Sequence, residues 1–175
     1  MEETLRGQLL IAAPSLYDYF RRAVVLVLEH TPDGAMGVVL NRSSDTVVSE
    51  AVPALAALPG SDEAVRVGGP VSPGSVVALG EFGDPAEAGT QVVASLGTLD
   101  PDRPSESLQR LRVYAGYAGW SPGQLDGEVE EGAWILERAA AGDPFSDGDI
   151  WSEALRRKGG SYSLLATMPG DPSAN

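Results

Sequence analysis

The sequence predicts an α+β fold on three observations. Short runs rich in β-branched apolar residues recur along the chain, which is typical of strands. Two of these runs are joined by Pro32, Asp33 and Gly34, the residue order of a tight turn, so they predict an antiparallel hairpin. Only a few helical segments interrupt the strands, without the regular alternation that a doubly wound parallel sheet requires.

Most of the predicted strands precede residue 100. The run 23–29 is apolar on both faces, as in a central strand that is covered on both sides, and it pairs with 37–41 across the turn. A helix is predicted over 49–58, with Ser49 as its cap and Pro53 tolerated near its first turn. The other strands in this half are predicted at 8–13, 65–67, 76–79 and 91–96.

The second half of the chain predicts one alternating strand and two helices. Polar and apolar residues alternate over 110–115, so that Leu111 and Val113 face the core. Helices are predicted from Pro122 onward and over 149–158. The remaining predictions are an apolar stretch at 133–136, a final strand at 161–167, a single domain over 1–168 and a disordered tail at 169–175.

Length, charge and cysteine content limit the classes of function. A chain of 175 residues fits one domain that buries a sizeable core. The formal charge of −13, from 12 basic and 25 acidic residues, makes direct binding to nucleic acid or to anionic membranes unfavourable. Cysteine is absent, which excludes disulfides, thiolate metal sites and cysteine nucleophiles. Since no leader pattern or membrane-length apolar run is visible, we expect a cytoplasmic protein without membrane contact.

Residues 119–123, GWSPG, match the G-x-S-x-G pattern that surrounds the nucleophile of many serine hydrolases. Two features argue against a catalytic Ser121. The backbone N–H after the serine should help to hold the oxyanion, but Pro122 has no N–H. The chain has one histidine, His30, and it precedes the serine, whereas hydrolases of this kind place histidine last.

A helix start explains the same residues better. With Ser121 as the cap, Pro122 falls at the first helical position, where its missing N–H costs nothing. Gln124 then completes a capping box, and Trp120 and Leu125 occupy the two positions of a hydrophobic staple. We therefore interpret Ser121 as structural.

The other candidate residues give no catalytic or metal-binding set. Glu29 and His30 are adjacent on a strand and point to opposite faces, so they are not expected to bind one metal ion. We expect His30 to be a hydrogen-bonded structural residue, and a buried Glu29 to need a partner such as Arg42. The Gly-Gly-Pro sequence at 68–70 predicts a tight turn, without a phosphate-binding pattern. The acidic residues Glu128, Glu130 and Glu131 predict a solvated helix face.

Three segments resemble the YqgE/AlgH family of small bacterial cytoplasmic proteins. They are LLIAAPSLYDYFRRAVVLVLEHTPDGAMGVVLNR at 9–42, VGGPV at 67–71 and GYAGWSPGQLDGEVEEGAW at 116–134. The resemblance implies an α+β fold with a bifurcated mixed or antiparallel sheet, part of it curled into a small barrel and flanked by helices. Members are often labelled transcriptional regulators, and the resemblance implies no catalytic mechanism.

The sequence departs from the common pattern of the family at several positions. Leu28 stands where many members have cysteine, Thr31 where asparagine is frequent and Ser43 where proline often follows. Any role for that cysteine is therefore void in this chain.

These observations leave three hypotheses of function. The first is a non-enzymatic regulatory or interaction protein that contacts an unknown protein or small-molecule partner, uses no cofactor and affects transcription indirectly. The second is direct DNA regulation, which requires an arginine cluster gathered on one face. The third is an enzyme or small-ligand binder with a site where the motifs converge. The possible ligand or partner site consists of Glu29, His30, Asn41, Arg42, Gly69, Pro70, Trp120 and Gln124.

Overall fold

The computed structural model describes residues 4–16, 18–100, 102–103 and 105–167. Its strands are β1 (Gln8–Ala12), β2 (Val24–Thr31), β3 (Gly34–Val39), β4 (Ser43–Val47), β5 (Ala64–Val67), β6 (Val71–Phe82), β7 (Gln91–Val93), β8 (Leu96–Thr98), β9 (Leu108–Trp120) and β10 (Trp134–Arg138). Its helices are α1 (Val48–Ala51), α2 (Gln124–Glu130), α3 (Ile150–Lys158) and α4 (Tyr162–Leu165). The single domain predicted over 1–168 stays a prediction, and the predicted tail at 169–175 lies outside the described residues.

The strands form one curled sheet in the order β10-β1-β2-β3-β9-β6-β8-β7. Strand β9 joins two branches: its C-terminal end pairs with β3, while its middle pairs antiparallel with β6 and parallel with β5, which carries β4. The sheet curls into a half-barrel, which brings the segment before β1 next to β7. Arg6 in that segment donates a hydrogen bond to the carbonyl of Gln91. The predicted α+β class with a bifurcated, partly barrel-like sheet and flanking helices is confirmed.

The β2–β3 hairpin is also confirmed. Its pairing runs from Val25 opposite Val39 to Thr31 opposite Gly34, with a bulge between Val27 and Glu29. The strand β2 is covered on both faces, because residues that alternate along it enter two different core clusters. One cluster fills the half-barrel and packs against α3, and the other lies under α2.

The predicted helix over 49–58 is wrong in extent and in its cap. The helix α1 covers only Val48–Ala51, its N-cap is Val47 without a side-chain hydrogen bond, and a separate 3₁₀ turn follows at Pro53–Leu55. The break falls at Pro53 because proline cannot donate the backbone hydrogen bond that would continue the helix. Ser49 instead donates its backbone N–H to the carbonyl of Ser61.

Four strand predictions also need correction. The strand predicted at 76–79 is β6, which spans Val71–Phe82 and so includes residues that were predicted as a turn. The run 91–96 is a hairpin of β7 and β8 that turns at Ala94, whose φ is +49°. The final segment forms α4 instead of a strand. The strand β9 is 13 residues long and so extends well beyond the predicted 110–115 on both sides.

Candidate functional site

Two of the predicted site residues, Trp120 and Gln124, lie together around Glu128 of α2. The indole N–H groups of Trp120 and Trp134 donate to Glu128 Oε1 at 3.0 and 2.9 Å, and Gln124 Nε2 donates to Oε2 at 2.9 Å. Both tryptophans are buried, and their ring centroids are 6.2 Å apart in an edge-to-face arrangement. We call these four residues the tryptophan–glutamate cluster. The prediction of a solvated face is therefore wrong for Glu128, which is a structural acceptor.

The start of α2 differs from the predicted capping box. The N-cap is Gly123, in the left-handed region at φ +75°, so Ser121 and Pro122 precede the helix. Half of the box is present, because Gln124 Oε1 accepts the Ser121 backbone N–H at 3.0 Å. The Ser121 hydroxyl lies 3.2 Å from the same oxygen and donates to it. Trp120 and Leu125 are buried in one core cluster, as a hydrophobic staple requires.

His30 is held at both ring nitrogens. Nδ1 accepts the backbone N–H of Leu5 at 2.9 Å, and Nε2 lies 3.3 Å from Asp126 Oδ1. These contacts fix the tautomer with the proton on Nε2 and join the N-terminal segment, β2 and α2. His30 is hydrogen-bonded, as predicted, and its structural role stays a prediction.

Asn41 and Arg42 lie at the opposite end of the hairpin. Asn41 closes the turn before β2, since its Oδ1 accepts the Val24 N–H at 3.0 Å and its Nδ2 donates to the Arg22 carbonyl at 2.8 Å. The Arg42 guanidinium donates to the Arg21 carbonyl at 3.2 Å and lies 4.6 Å from the ring centroid of Tyr19. Among the described residues, neither side chain forms a hydrogen bond with the tryptophan–glutamate cluster. Their hydrogen bonds go to nearby backbone groups.

Gly69 marks a close crossing of two chain segments, which replaces the predicted tight turn. Its φ is +156°, and a Cβ at this position would lie 2.2 Å from the carbonyl carbon of Tyr117. Gly116, opposite, would place a Cβ 2.5 Å from the carbonyl oxygen of Gly69. The neighbouring Pro70 is exposed. The motifs VGGPV and GYAGW therefore meet in space because only glycine permits this approach of the two backbones.

Glu29, another predicted site residue, borders an open cleft. Glu29 is exposed next to the bulge in β2, so the burial that would have required a partner such as Arg42 is absent. The cleft has a volume of about 360 Å³ and lies at the mouth of the half-barrel. Met36 and Val77, which pack on the half-barrel core, lie on its apolar side. We call it the barrel-mouth cleft, lined by Arg6, Leu28, Glu29, Met36, Val76, Val77, Ala78, Thr90, Thr98 and Leu99.

One wall of the barrel-mouth cleft is an unpaired stretch of strand. The strand β6 pairs with β9 at Val71 and again from Val76, with a bulge between these two residues, and β8 joins its other edge only from Leu79, opposite Thr98. Among the described residues, nothing else pairs with β6 over 71–77. The apolar side chain of Val76, which lines the cleft, is 46% exposed, and that of Val71, at the start of the strand, is 36% exposed. An unpaired edge with exposed valines is a surface to which another strand can bind.

The sequence reasoning missed this wall, although one signal pointed to it. Pro73 lies inside β6, and proline within a strand is typical of an edge. The exposed valines gave no signal, since single apolar residues are common on protein surfaces.

The described part of the chain contains no group of three or more His, Cys, Asp or Glu side chains arranged to hold a metal ion. Within the same residues, no helix is long and apolar enough to span a membrane.

Comparisons with known proteins agree with this architecture. The model of the AlgH-like family matches residues 9–163, so the chain belongs to the AlgH-like family. It is 43% identical to the UPF0301 protein SCO2948 of Streptomyces coelicolor, with 98% of this chain and 96% of that protein covered. A UPF0301 protein of Streptomyces avermitilis is 42% identical over the same shares of the two chains.

Two solved structures share the fold. The crystal structure of DIP2367 from Corynebacterium diphtheriae matches with a TM-score of 0.84 at 30% identity, covering 96% of this chain and 94% of that one. The solution structure of AlgH from Pseudomonas aeruginosa matches with a TM-score of 0.69 at 28% identity, covering 98% and 100%. These similarities establish the family and the fold, and the relatives' names state no activity.

Proposed function

We propose that this chain is a non-enzymatic interaction protein that binds an extended segment of a protein partner at the barrel-mouth cleft. The observation that carries the proposal is the unpaired edge of β6 over 71–77, directly beside an apolar cleft. Any effect on transcription is indirect and passes through that partner.

An extended polypeptide fits both parts of this surface. Its backbone can pair with the open edge of β6, as in other strand-addition complexes, while every second side chain points to the same face. An apolar side chain on that face would reach Met36 and Val77 in the cleft. Arg6 and Glu29, which have opposite charges, are also among the lining residues and can form polar contacts with the bound segment.

The contacts of the conspicuous polar residues favour binding over catalysis. Both nitrogens of His30 have partners, and the Ser121 hydroxyl donates to Gln124. A serine nucleophile needs an adjacent base to take its proton, and Ser121 contacts an amide oxygen instead.

The arrangement of charges favours an indirect effect on transcription. The fold does bring arginines together, as direct DNA binding would require, but they face carboxylates: Arg110 lies 3.0 Å from Glu81, Arg112 2.9 Å from Asp147 and Arg157 2.8 Å from Asp143. With a formal charge of −13, we expect no salt-sensitive binding to duplex DNA in a fluorescence anisotropy titration.

The proposal is tested by selecting random displayed peptides on the purified protein and on two variants. We expect the wild type to enrich peptides with alternating apolar residues, and Val76→Asp to lose them because it places a charge in the cleft wall. Leu164→Asp is the control, since Leu164 on α4 is 72% exposed and does not line the cleft. Enrichment of the same peptides on Val76→Asp would overturn the proposal.

Sedimentation of the free protein distinguishes a foreign partner from a second copy. We expect a monomer at all concentrations. A concentration-dependent dimer that Val76→Asp abolishes would assign the β6 edge to self-association and contradict a separate partner.

A further inference from the structure

A second cleft, of about 270 Å³, lies beside β9 and contains a buried cation. Arg112 of β9 lines this cleft, although its side chain is only 7% exposed. Arg66, from the adjacent strand β5, is 14% exposed. The two guanidinium groups converge on one atom, because Asp147 Oδ1 lies 2.9 Å from Arg112 Nη2 and 3.4 Å from Arg66 Nη2. We call this pair with its surroundings the arginine cleft.

The cations in the arginine cleft are buried, whereas their anionic partners are not. The side chain of Asp147 is 82% exposed, and that of Glu63, which lies 3.0 Å from Arg112 Nε, is 45% exposed. A buried charge is costly unless an opposite charge compensates it, so Arg66 and Arg112 require an anion. A solvated carboxylate on a connecting segment is the kind of partner that an outside anion can replace.

Arg66 also has donor capacity beyond Asp147. Its Nε is buried and forms no hydrogen bond with any of the described residues. Guanidinium groups offer several N–H donors in a planar fork that matches a carboxylate. Arg66 otherwise donates only to Asp147 and, at 3.5 Å, to the Leu40 carbonyl among the described residues, so its Nε–H remains available to a further acceptor.

We propose that Arg66 and Arg112 form a binding site for a carboxylate ligand, and that Asp147 is the internal carboxylate which occupies it. Glu63 adds a negative charge on the other side of Arg112, which disfavours a multiply charged anion and favours a single carboxylate. That carboxylate belongs either to a small molecule or to an acidic side chain of a protein. The site is separate from the barrel-mouth cleft, with which it shares no lining residue.

The test is an NMR titration of the wild type and of Asp147→Asn with propionate, observing the arginine Nε–H signals. The substitution removes the internal competitor, whose effective concentration is in the millimolar range or above, so we expect about tenfold tighter binding. Asp33→Asn, which removes the same charge from an exposed turn, should leave the affinity unchanged. Arg66→Gln introduced into Asp147→Asn should abolish the gain.

Equal affinity of the wild type and Asp147→Asn for propionate would overturn the proposal. So would a gain in affinity that persists when Arg66→Gln is added. Thermal unfolding gives an independent measurement, since a ligand that binds only the folded state raises Tm. Propionate should raise Tm of Asp147→Asn more than that of the wild type.

A blocked tripeptide with a central glutamate, titrated in parallel, distinguishes the two sources of the carboxylate. Tighter binding of the tripeptide than of propionate assigns the site to an acidic side chain of a protein. Equal binding assigns it to a small carboxylate.

Discussion

The tryptophan–glutamate cluster and the barrel-mouth cleft differ in how their polar groups are satisfied. In the cluster, a single carboxylate accepts hydrogen bonds from two buried indoles and one amide. At the cleft, β6 exposes Val76, and β8 leaves its edge unpaired over 71–77. Trp120 and Gln124, two residues of the predicted site, therefore have their polar groups satisfied within the fold, while an ordinary valine is exposed in the cleft.

Two glycines, Gly69 and Gly74, show the same contrast between a constrained position and an open one. Gly69 lies in one of the motifs that suggested function, but its position requires a glycine for steric reasons. Gly74, only five residues further along in β6, has no atom within 4 Å of an added Cβ. Substitutions at these positions can therefore distinguish a structural motif from an accessible surface.

The largest effect is expected for Gly69→Ala. A Cβ would collide with the Tyr117 carbonyl in a backbone conformation that alanine rarely adopts, so we expect a loss of about 4 kcal/mol or more in unfolding free energy. Gly74→Ala, the matched control, should change it by less than about 0.5 kcal/mol. Chemical denaturation measures both values. Similar effects for the two variants would show that the crossing is not constrained as described.

The next largest effect is expected for Glu128→Ala. It leaves two buried indole N–H groups without their acceptor, which should destabilise the protein by about 2–4 kcal/mol. Glu130→Ala, on an exposed position of the same helix, should change stability by less than about 0.5 kcal/mol. If Glu128→Ala were as stable as the wild type, the cluster would not be structural.

A smaller, pH-dependent effect is expected from Tyr114, which belongs to the core cluster that fills the half-barrel. Burial raises the pKa of the Tyr114 hydroxyl far above its ordinary value, and the nearby Arg112 lowers it only in part. The folded state thus keeps a proton that the unfolded state loses above about pH 10. Stability from this group is complete below that pH and falls as the pH rises further, by up to about 1.4 kcal/mol per pH unit.

Denaturation at several alkaline pH values checks this prediction. The phenylalanine variant Tyr114→Phe should show a shallower loss of stability above pH 10 than the wild type. Tyr162→Phe, at a more exposed position on α4, should retain the wild-type slope. Equal slopes for all three proteins would mean that the interior of the half-barrel is accessible to water.

The pKa of Asp149, at the start of α3, is set by effects that act in opposite directions. Partial burial raises its pKa, but hydrogen bonds from the Ser152 hydroxyl and N–H, together with Arg22 and Arg156, outweigh burial and leave the pKa below its usual value. Asp149 caps α3 by accepting the Ser152 N–H. The ionised side chain of Asp149 therefore stabilises the start of α3.

Local patterns in the sequence predicted much of the fold. The apolar runs identified β1, β2 and β3. The Pro-Asp-Gly turn identified the hairpin of β2 and β3. The polar strand β4, with the sequence SSDTV, has no apolar pattern and was missed. The turn at Ala94 was missed because alanine carries no signal for its positive φ.

The candidate site was much harder to predict from the sequence. The role of Glu128 depends on Trp120 and Trp134, which come from two different strands, so no local pattern reveals it. The opening beside β6 exists because β8 stops pairing at Leu79, which is a property of the sheet as a whole. Pro122 and the position of His30 argued against a catalytic Ser121, but no single residue could indicate where a partner binds.

The most direct test of the account is amide hydrogen exchange of the protein with and without a peptide obtained by the selection described above. Pairing of the peptide with the free edge of β6 should slow exchange of amides within 71–78. Exchange in the tryptophan–glutamate cluster should stay unchanged, because its groups are already satisfied within the fold. Protection confined to the cluster, with none along β6, would contradict the account.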